Sequence, residues 1–378
     1  MDIITQNTII FYLSLLIPIV AIFILSNNWS IGIEKFVLQY LSAAYLVFIV
    51  ILIGFRKIGV DGFADTQMYI NWFNDSQLRG IINTKDIGFG LWTYLLSYFV
   101  GVRLFFFLCT LLSFFLLIWV SFKVAREQWL LMILGFMVSL YFWNNEVFTI
   151  RQGLASNFML VAIFSRPKYA KVFFSLLAIS FHLSFAITAF AFLIVSHFKN
   201  SKFYFFAWLL ILLVSSAFNN QIFLTLSKIL QNERLTYYLG MDMHSNLNFR
   251  WDVVLFSLVF ICIGFYNIIF KGFNKDNSYR LIINLFIFSN LFLLLLGKSN
   301  IMHRFAFLSW FLIPLIVFYP ILKNKLLFTY SRYLVTLGVM YIFILTYTFY
   351  KIYTQNMKFV PDVANNEIRM SENIFFTI

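Results

Sequence analysis

Long apolar stretches recur along the whole chain and alternate with short polar segments. About 20 apolar residues suffice for a helix to cross the hydrocarbon core of a bilayer. The pattern predicts membrane-spanning helices at 9–25, 36–55, 103–122, 129–143, 147–165, 203–218, 251–270, 281–297, 305–322 and 333–350. We therefore predict an all-α, polytopic integral membrane protein that forms a single domain over residues 1–378. With the ambiguous segments included, we expect about 11 or 12 transmembrane helices plus short re-entrant or interfacial helices.

Two apolar segments do not fit a simple span. Gly88–Gly101 is short and contains tyrosines and a tryptophan, which is typical of an interfacial or re-entrant helix. Val172–Val195 is either one span or two short helices that turn near His182. Two such helices would each be about 18 Å long, too short for the core, and would imply a recess that opens to the outside.

Composition agrees with a membrane protein, since 62% of the residues are hydrophobic and 11% are charged. The net charge of +13 would suit a nucleic-acid binder, but the basic residues are concentrated in short loops between predicted spans. These loops lie near residue 35 and at 123–126, 166–171, 199–202, 271–280 and 323–332. By the positive-inside rule they face the cytoplasm, so we predict no nucleic-acid partner.

This charge distribution places the two long polar segments, 56–87 and 219–250, on the outer side. Basic loops also flank Val172–Val195 on both sides, which favours two helices that go out and come back. The alternative is one ordinary span with the remaining topology inverted.

Cys109 and Cys262 both fall inside predicted spans, and we interpret them as small residues of the core. The chain has neither the cysteine and histidine spacing of a zinc site nor a glycine-rich phosphate loop. We therefore predict no metal and no cofactor.

Arg151 stands near the start of an otherwise apolar run that ends at Ser165. A guanidinium close to hydrocarbon costs about 2.5–3.5 kcal/mol on insertion scales, so this side chain needs a polar cavity or a partner. We interpret it as part of a site for an anion at the edge of the membrane. Gln152 and Glu146 lie near it in sequence. The alternative is a snorkelling arginine that pairs with Glu146.

The outer segment 56–87 interleaves basic, acidic and aromatic residues, among them Arg56, Asp61, Asp65 and Tyr69. Aromatic rings stack on sugar faces, and carboxylates bind hydroxyl groups or accept protons. This composition indicates a carbohydrate site, with a solvated loop as the alternative.

Three further residues are candidates for the same site. His182 lies alone in an apolar run and is either a structural residue or a proton acceptor. Arg250 and Arg304 lie near predicted outer helix ends, against the positive-inside bias. An anionic ligand would explain both arginines because guanidinium matches phosphate in a bidentate manner, although lipid head groups are an alternative.

Several short motifs follow one another from the second predicted span to Pro314. They are Arg56 followed by Asp65-x-x-x-Tyr69, Asp86 before Gly88-Phe89, Arg151-Gln152-Gly153-Leu154-Ala155, Phe181-His182, and Arg304-Phe305 ahead of Pro314. In this order the chain resembles the EpsG/Wzy-type polymerases of bacterial exopolysaccharide, O-antigen and capsule synthesis. It departs from the usual Gly-Thr-Asp-like run at Asp61–Asp65, which leaves open whether Asp61 or Asp65 has the acidic role.

The resemblance implies a GT-C-like, multi-pass glycosyltransferase of the bacterial cytoplasmic membrane whose active site faces the periplasm or the cell exterior. Its substrates would be a glycan on undecaprenyl pyrophosphate and a lipid-linked repeat unit, joined with inversion and without a metal. Its other partners would be membrane lipid and a chain-length regulator protein.

The resemblance also suggests roles for the candidate residues. Arg151 and Arg304 would bind the pyrophosphate, and Asp65, Glu146 or His182 would be the base. The remaining candidates for substrate contacts are Arg56, Asp61, Tyr69, Gln152 and Arg250.

Three other functions would use a similar chain. A flippase for lipid-linked oligosaccharides also needs an arginine-lined cavity, but it often shows repeat symmetry, which we do not see. A membrane acyltransferase would use His182 as a base but needs a cytoplasmic acyl donor. A glycan ligase would share the chemistry of the polymerase.

Overall fold

A computed structural model describes residues 33–56, 64–81, 85–218, 249–295, 302–323, 332, 335–343 and 346. These residues are mostly helical, and this part of the chain contains no β-strand. The main helices are α1 (Ile33–Gly54), α2 (Ala64–Arg79), α3 (Ile87–Phe99), α4 (Val102–Val124), α5 (Trp129–Met137), α6 (Ile150–Phe164), α7 (Lys168–Phe181), α8 (Phe185–His197), α9 (Ser201–Phe218), α10 (Trp251–Phe270), α11 (Asn277–Leu294), α12 (Met302–Trp310) and α13 (Ile313–Lys323). Residues 335–343 are also helical.

Four of the described segments are long and apolar enough to cross a membrane: Val102–Val124, Trp251–Phe270, Asn277–Leu294 and Phe305–Lys323. Shorter apolar helices accompany them, among them α3, α6 and α8. The predicted all-α membrane fold is therefore confirmed. The predicted total of spans stays a prediction, because 9–25 lies outside the described residues and 333–350 is described only in part.

The helices pack in two groups. In the first, α4 packs against α1, α5 and α6, while α7 packs along α6 and against α3, and α3 also contacts α2. In the second, α11 packs against α9, α10, α12 and α13. Helix α8 joins the groups through contacts with α7 and α11, and α13 joins them through α5.

The segment Val172–Val195 is not one span. Helix α7 ends at Phe181, and α8 begins at Phe185 after a three-residue turn. The Lys171 ammonium lies 6.0 Å from the centre of the Phe192 ring, so the two helices run antiparallel. The two-helix interpretation is confirmed, and the helices of 14 and 13 residues are each about 20 Å long.

The predicted span 129–143 is interrupted. Helix α5 ends at Met137, and after a turn the chain forms a short helical segment at Leu140–Phe142 that leads into a π-helix at Trp143–Phe148. Ser139 causes the break, because its hydroxyl donates to the carbonyl of Phe136 (2.6 Å) and accepts from the amide of Phe142 (3.2 Å). Side-chain bonds of this kind compete with the helical backbone pattern. Hydropathy does not reveal this side-chain bond, because the surrounding run is uniformly apolar.

Basic residues from distant loops meet at one end of the bundle. Arg280 donates to the carbonyl of Lys199 (3.2 Å), which joins the start of α11 to the end of α8. The ammonium of Lys323, at the end of α13, lies 3.2 Å from a carboxylate oxygen of Asp276. Since α7 and α8 are antiparallel, Lys171 lies at this end too.

Candidate functional site

Arg151 lies in the first turn of α6 and forms an ion pair with Asp86, the residue before α3. Both side chains are largely buried, with 17% of Arg151 and 6% of Asp86 exposed. The partner is separated from Arg151 by 65 positions in sequence. The alternative pairing with Glu146 is therefore wrong.

Two aromatic rings of α2 cover the guanidinium. Its central carbon lies 4.7 Å from the centre of the Trp72 ring and 5.6 Å from that of Tyr69. The Nε group also donates to the Tyr69 hydroxyl over 3.5 Å. A cation over aromatic faces is stabilised by the ring quadrupoles, and more strongly where water is excluded. Helix α2 is thus one wall of the site.

The turn between α7 and α8 reaches the other side of Asp86. The amide of Leu183 donates to one carboxylate oxygen (2.9 Å), and Nδ1 of His182 lies 3.6 Å from the same oxygen. Burial alone would raise the pKa of Asp86, but the His182 ring, the Arg151 charge and the Leu183 amide outweigh it and hold the pKa well below its usual range. Asp86 is thus a carboxylate at neutral pH.

Close helix packing brings these groups together. A Cβ atom on Gly88 would lie 2.8 Å from the Cβ of Ser180 and 3.0 Å from its carbonyl carbon, so only glycine lets α3 approach α7 this closely. The Phe89 ring lies 5.5 Å from Tyr69 and 6.2 Å from Phe181. The aromatic contacts fix α2, α3 and α7 around Asp86.

The arrangement places a guanidinium and an imidazole on the same carboxylate. The Nη2 group of Arg151 makes no hydrogen bond to another described residue, and it is free to bind a ligand. His182 turns Nδ1 towards Asp86, and 26% of its side chain is exposed. A carboxylate beside one ring nitrogen orients an imidazole.

Arg151, Tyr69 and His182 were each predicted as site residues from a different feature of the sequence. The structure brings all three together. Asp65 lies one helical turn before Tyr69 and interacts electrostatically with Arg151. Asp86 and Trp72 also belong to the site but were not predicted as site residues. The signal for Asp86 was its place before Gly88-Phe89 in the motif order.

Three other candidates lie in neighbouring positions. Arg56 donates to the carbonyls of Ile53 (2.9 Å) and Val147 (2.8 Å). Gln152 is buried in α6. Glu146 is buried in a second polar cluster, where it accepts hydrogen bonds from Ser113 and Asn157.

The remaining candidates cannot be placed at the site. Arg250 pairs with Asp252 at the start of α10, which belongs to the second helix group (Nη2–Oδ2 2.7 Å). Asp61 and the side chain of Arg304 lie outside the described residues. In the described residues, no group of three or more histidine, cysteine or acidic side chains is arranged to hold a metal.

Comparisons with known proteins agree with the motif order. The model of the EpsG family matches residues 39–363, which is most of the chain. The comparisons with curated proteins and with solved structures found no match. The chain belongs to the EpsG family, and this membership supports a glycosyltransferase-like polymerase function in polysaccharide synthesis.

Proposed function

We propose that the protein polymerises undecaprenyl-pyrophosphate-linked oligosaccharide repeat units on the outer face of the bacterial cytoplasmic membrane. The donor is the growing glycan on its lipid pyrophosphate, and the acceptor is one lipid-linked repeat unit. A chain-length regulator protein is the expected partner.

The observation that supports this proposal is the Arg151 site. A largely buried guanidinium is held by Asp86, Tyr69 and Trp72 and keeps one donor group available. A leaving pyrophosphate is already negative and needs cationic stabilisation more than protonation. Arg151 meets this need without a metal.

The transfer proceeds in one displacement. The acceptor hydroxyl oxygen bonds to the anomeric carbon of the donor sugar while the bond from that carbon to the pyrophosphate oxygen breaks. The bonding electrons leave with the lipid pyrophosphate, and the hydroxyl proton goes to a base on the enzyme. Attack from the side opposite the leaving group inverts the anomeric centre.

His182 is the base that the geometry favours. Its position beside Asp86 suits an imidazole that takes up a proton, and part of the ring is exposed. Asp65 is half-buried near Arg151, whereas Glu146 is enclosed in a separate cluster. We therefore place His182 ahead of the two carboxylates.

The outward orientation is supported by the charge distribution. The site lies where α3, α6 and the α7–α8 turn meet, and the basic residues Lys171, Lys199 and Arg280 lie at the opposite end. Cytoplasmic basic residues leave the site facing outside.

Deleting the gene and separating surface glycan and lipid-linked intermediates on a gel tests the function. We expect the ladder to collapse to one repeat unit that still reaches the cell surface. Repeat units trapped on the cytoplasmic side would instead indicate a flippase. An unchanged ladder would refute polymerisation and direct attention to missing acyl groups.

Complementing the deletion with Arg151→Ala tests the site. We expect loss of polymer when strains are compared at equal protein level, because the leaving pyrophosphate loses its cation, which is worth a factor of about 100 or more in rate. Lys323→Ala is the matched control, since it breaks another cation–carboxylate pair at the far end of the bundle. Normal glycan length in Arg151→Ala would exclude Arg151 from the mechanism.

A further inference from the structure

The π-helix at Trp143–Phe148 comes directly before the helix that carries Arg151. π-Helical turns are rare and occur often at functional sites, since they do not continue the regular backbone pattern. Such a turn must be held by other contacts if the residue after it is to have a fixed position. The structure shows contacts of this kind on two sides.

Arg56 holds the turn from the side of α1. Its guanidinium donates to the carbonyl of Val147 (2.8 Å), inside the π-helix, and to the carbonyl of Ile53 (2.9 Å), near the end of α1. The same guanidinium lies 5.0 Å from the centre of the Phe106 ring of α4. Arg56 therefore ties the π-helix to two other helices, and both of its hydrogen-bonded partners are backbone carbonyls.

Glu146 holds the turn from the side of α4 and α6. Its Oε2 accepts hydrogen bonds from the Ser113 hydroxyl and from the Asn157 amide (3.1 Å). The Asn157 amide also donates to the Ser113 hydroxyl (2.8 Å). The three side chains are buried, so water does not compete strongly for these hydrogen bonds.

The turn and the start of α6 are packed as one unit. A Cβ atom on Gly153 would lie 2.8 Å from the carbonyl carbon of Asn145 and 2.8 Å from Oε2 of Glu146. Thr149 also donates to the Asn145 side chain (2.8 Å). Any shift of the π-helix is therefore passed to the first turn of α6, which contains Arg151.

We propose that Arg56 and Glu146 are positioning residues that hold the π-helix at two points and thereby set the place of the Arg151 guanidinium. This rests on the proposed role of Arg151 in binding pyrophosphate. Arg56 would then position Arg151 instead of binding substrate, and Glu146 would position it instead of acting as the base.

Two measurements on the purified full-length protein test the role of Arg56. Arg56→Ala should lower kcat for lipid-linked repeat units by about 100-fold with little change in KM, because a misplaced group costs about this much. Arg56→Ala should also speed hydrogen–deuterium exchange over residues 143–153. Arg280→Ala is the matched control, since Arg280 likewise donates to two backbone carbonyls, those of Asn274 (3.1 Å) and Lys199 (3.2 Å), and should change neither quantity.

The double variant separates positioning from direct catalysis. If Arg56 acts through Arg151, Arg56→Ala combined with Arg151→Ala should be no slower than Arg151→Ala alone. A rise in KM with unchanged kcat would show that Arg56 binds substrate directly and would overturn the proposal.

Glu146 is tested with two substitutions. In Glu146→Gln the amide oxygen can still accept from Ser113 and Asn157, so we expect most of the activity and wild-type exchange over 143–153. In Glu146→Ala both bonds are lost, and we expect slow turnover with fast exchange. An inactive Glu146→Gln variant with wild-type exchange would identify Glu146 as the base instead.

Hydrogen exchange also separates this inference from the proposed function. If the wild-type protein makes no polymer, the polymerase proposal fails. Faster exchange in Arg56→Ala and Glu146→Ala would then still show that both residues hold the π-helix. If polymerisation is confirmed and exchange over 143–153 is unchanged in both alanine variants, the positioning proposal fails by itself.

Discussion

Asp86 is the residue through which the helices of the site meet. It pairs with Arg151 of α6 and accepts the Leu183 amide from the α7–α8 turn. His182 lies on the same oxygen as that amide. One carboxylate thus organises both the cation and the imidazole, and its loss is expected to affect both.

Replacing Asp86 by asparagine should destabilise the protein. Breaking one side of a buried ion pair costs about 3–5 kcal/mol, because the remaining charge stays buried. The free energy of unfolding in detergent, measured by thermal or denaturant unfolding, checks this value. Asp252→Asn is the control, because the Arg250–Asp252 pair is exposed and should be worth about 1 kcal/mol or less.

The same comparison has a defined pH dependence. The pKa of Asp86 is lower in the folded protein than its ordinary value of about 3.9, so its stabilising effect is fully present above that value. The effect is lost progressively as the pH falls from there towards the folded pKa. The part of the stability difference between wild type and Asp86→Asn that comes from Asp86 ionisation should therefore be fully present above about pH 4 and shrink below it. A difference that vanishes near neutral pH contradicts the assigned ion pair.

The sequence predicted that Arg151 needs a partner, but it did not identify that partner. The cost of a guanidinium in an apolar run already required that Arg151 be paired or solvated. Glu146 was the nearest acid in sequence, yet the π-helix turns it inwards to Ser113 and Asn157. Asp86 reaches Arg151 only because α3 packs on α7, and sequence spacing does not encode that contact.

At the scale of helices, the site depends on how closely α3 approaches α7. The approach is possible because Gly88 faces Ser180 without a side chain. It places Asp86, two residues before Gly88, against the turn that follows α7. A small change in this contact is thus transferred directly to the carboxylate.

Gly88→Ala should separate α3 from α7. The added methyl group meets both the side chain and the backbone of Ser180, and overpacking of this kind costs about 1–3 kcal/mol. We also expect slower polymerisation, because Asp86 is displaced from Arg151. Thermal unfolding and a polymerisation assay measure the two effects.

The control for this substitution is Gly338→Ala, which adds a methyl group in the helical segment 335–343 where no described atom lies within 4 Å. Adding Ser180→Ala to Gly88→Ala should restore the loss only in part, since the Ser180 backbone stays close. Wild-type stability and activity in Gly88→Ala would show that the two helices are not tightly coupled.

Helix breaks were predictable to different degrees. The break near His182 followed from the basic residues on both sides of Val172–Val195, because an odd number of crossings would put one loop on the wrong side. The break after Met137 was not predicted, since a single hydroxyl on Ser139 produces it within an apolar run. Charge patterns therefore predict topology, whereas a local bond from a side chain to the backbone hardly changes the hydropathy pattern.

For the whole molecule, the separation of charge is the main organising feature. Among the described residues, Lys199 after α8, Arg280 at the start of α11 and Lys323 at the end of α13 lie at one end of the bundle, opposite Arg151 and Asp86. The predicted all-α membrane fold is confirmed, and the positive-inside pattern anticipated which loops share an end. The lateral arrangement into two helix groups was not predicted, because apolar helix faces can pack with many partners.

Cysteine labelling in intact cells tests the orientation. In a variant without Cys109 and Cys262, a membrane-impermeant thiol reagent should label Lys85→Cys, beside the site, and should not label Lys168→Cys. Both positions are exposed, so access to the side of the membrane decides the result. Labelling of Lys168→Cys alone would show that the site faces the cytoplasm and would exclude polymerisation on the outer face.

The Arg151–Asp86 pair has a further consequence if Arg151 binds pyrophosphate. The membrane surface is crowded with phospholipid head groups, and many of them bear a single negatively charged phosphodiester. Such a group must compete with a carboxylate that is tethered at high effective concentration beside the guanidinium. A pyrophosphate brings more charge and more acceptor oxygens, and it can share the cation with Asp86 or displace it. The ion pair would then favour the rare lipid pyrophosphate over the abundant phospholipid head groups at this site.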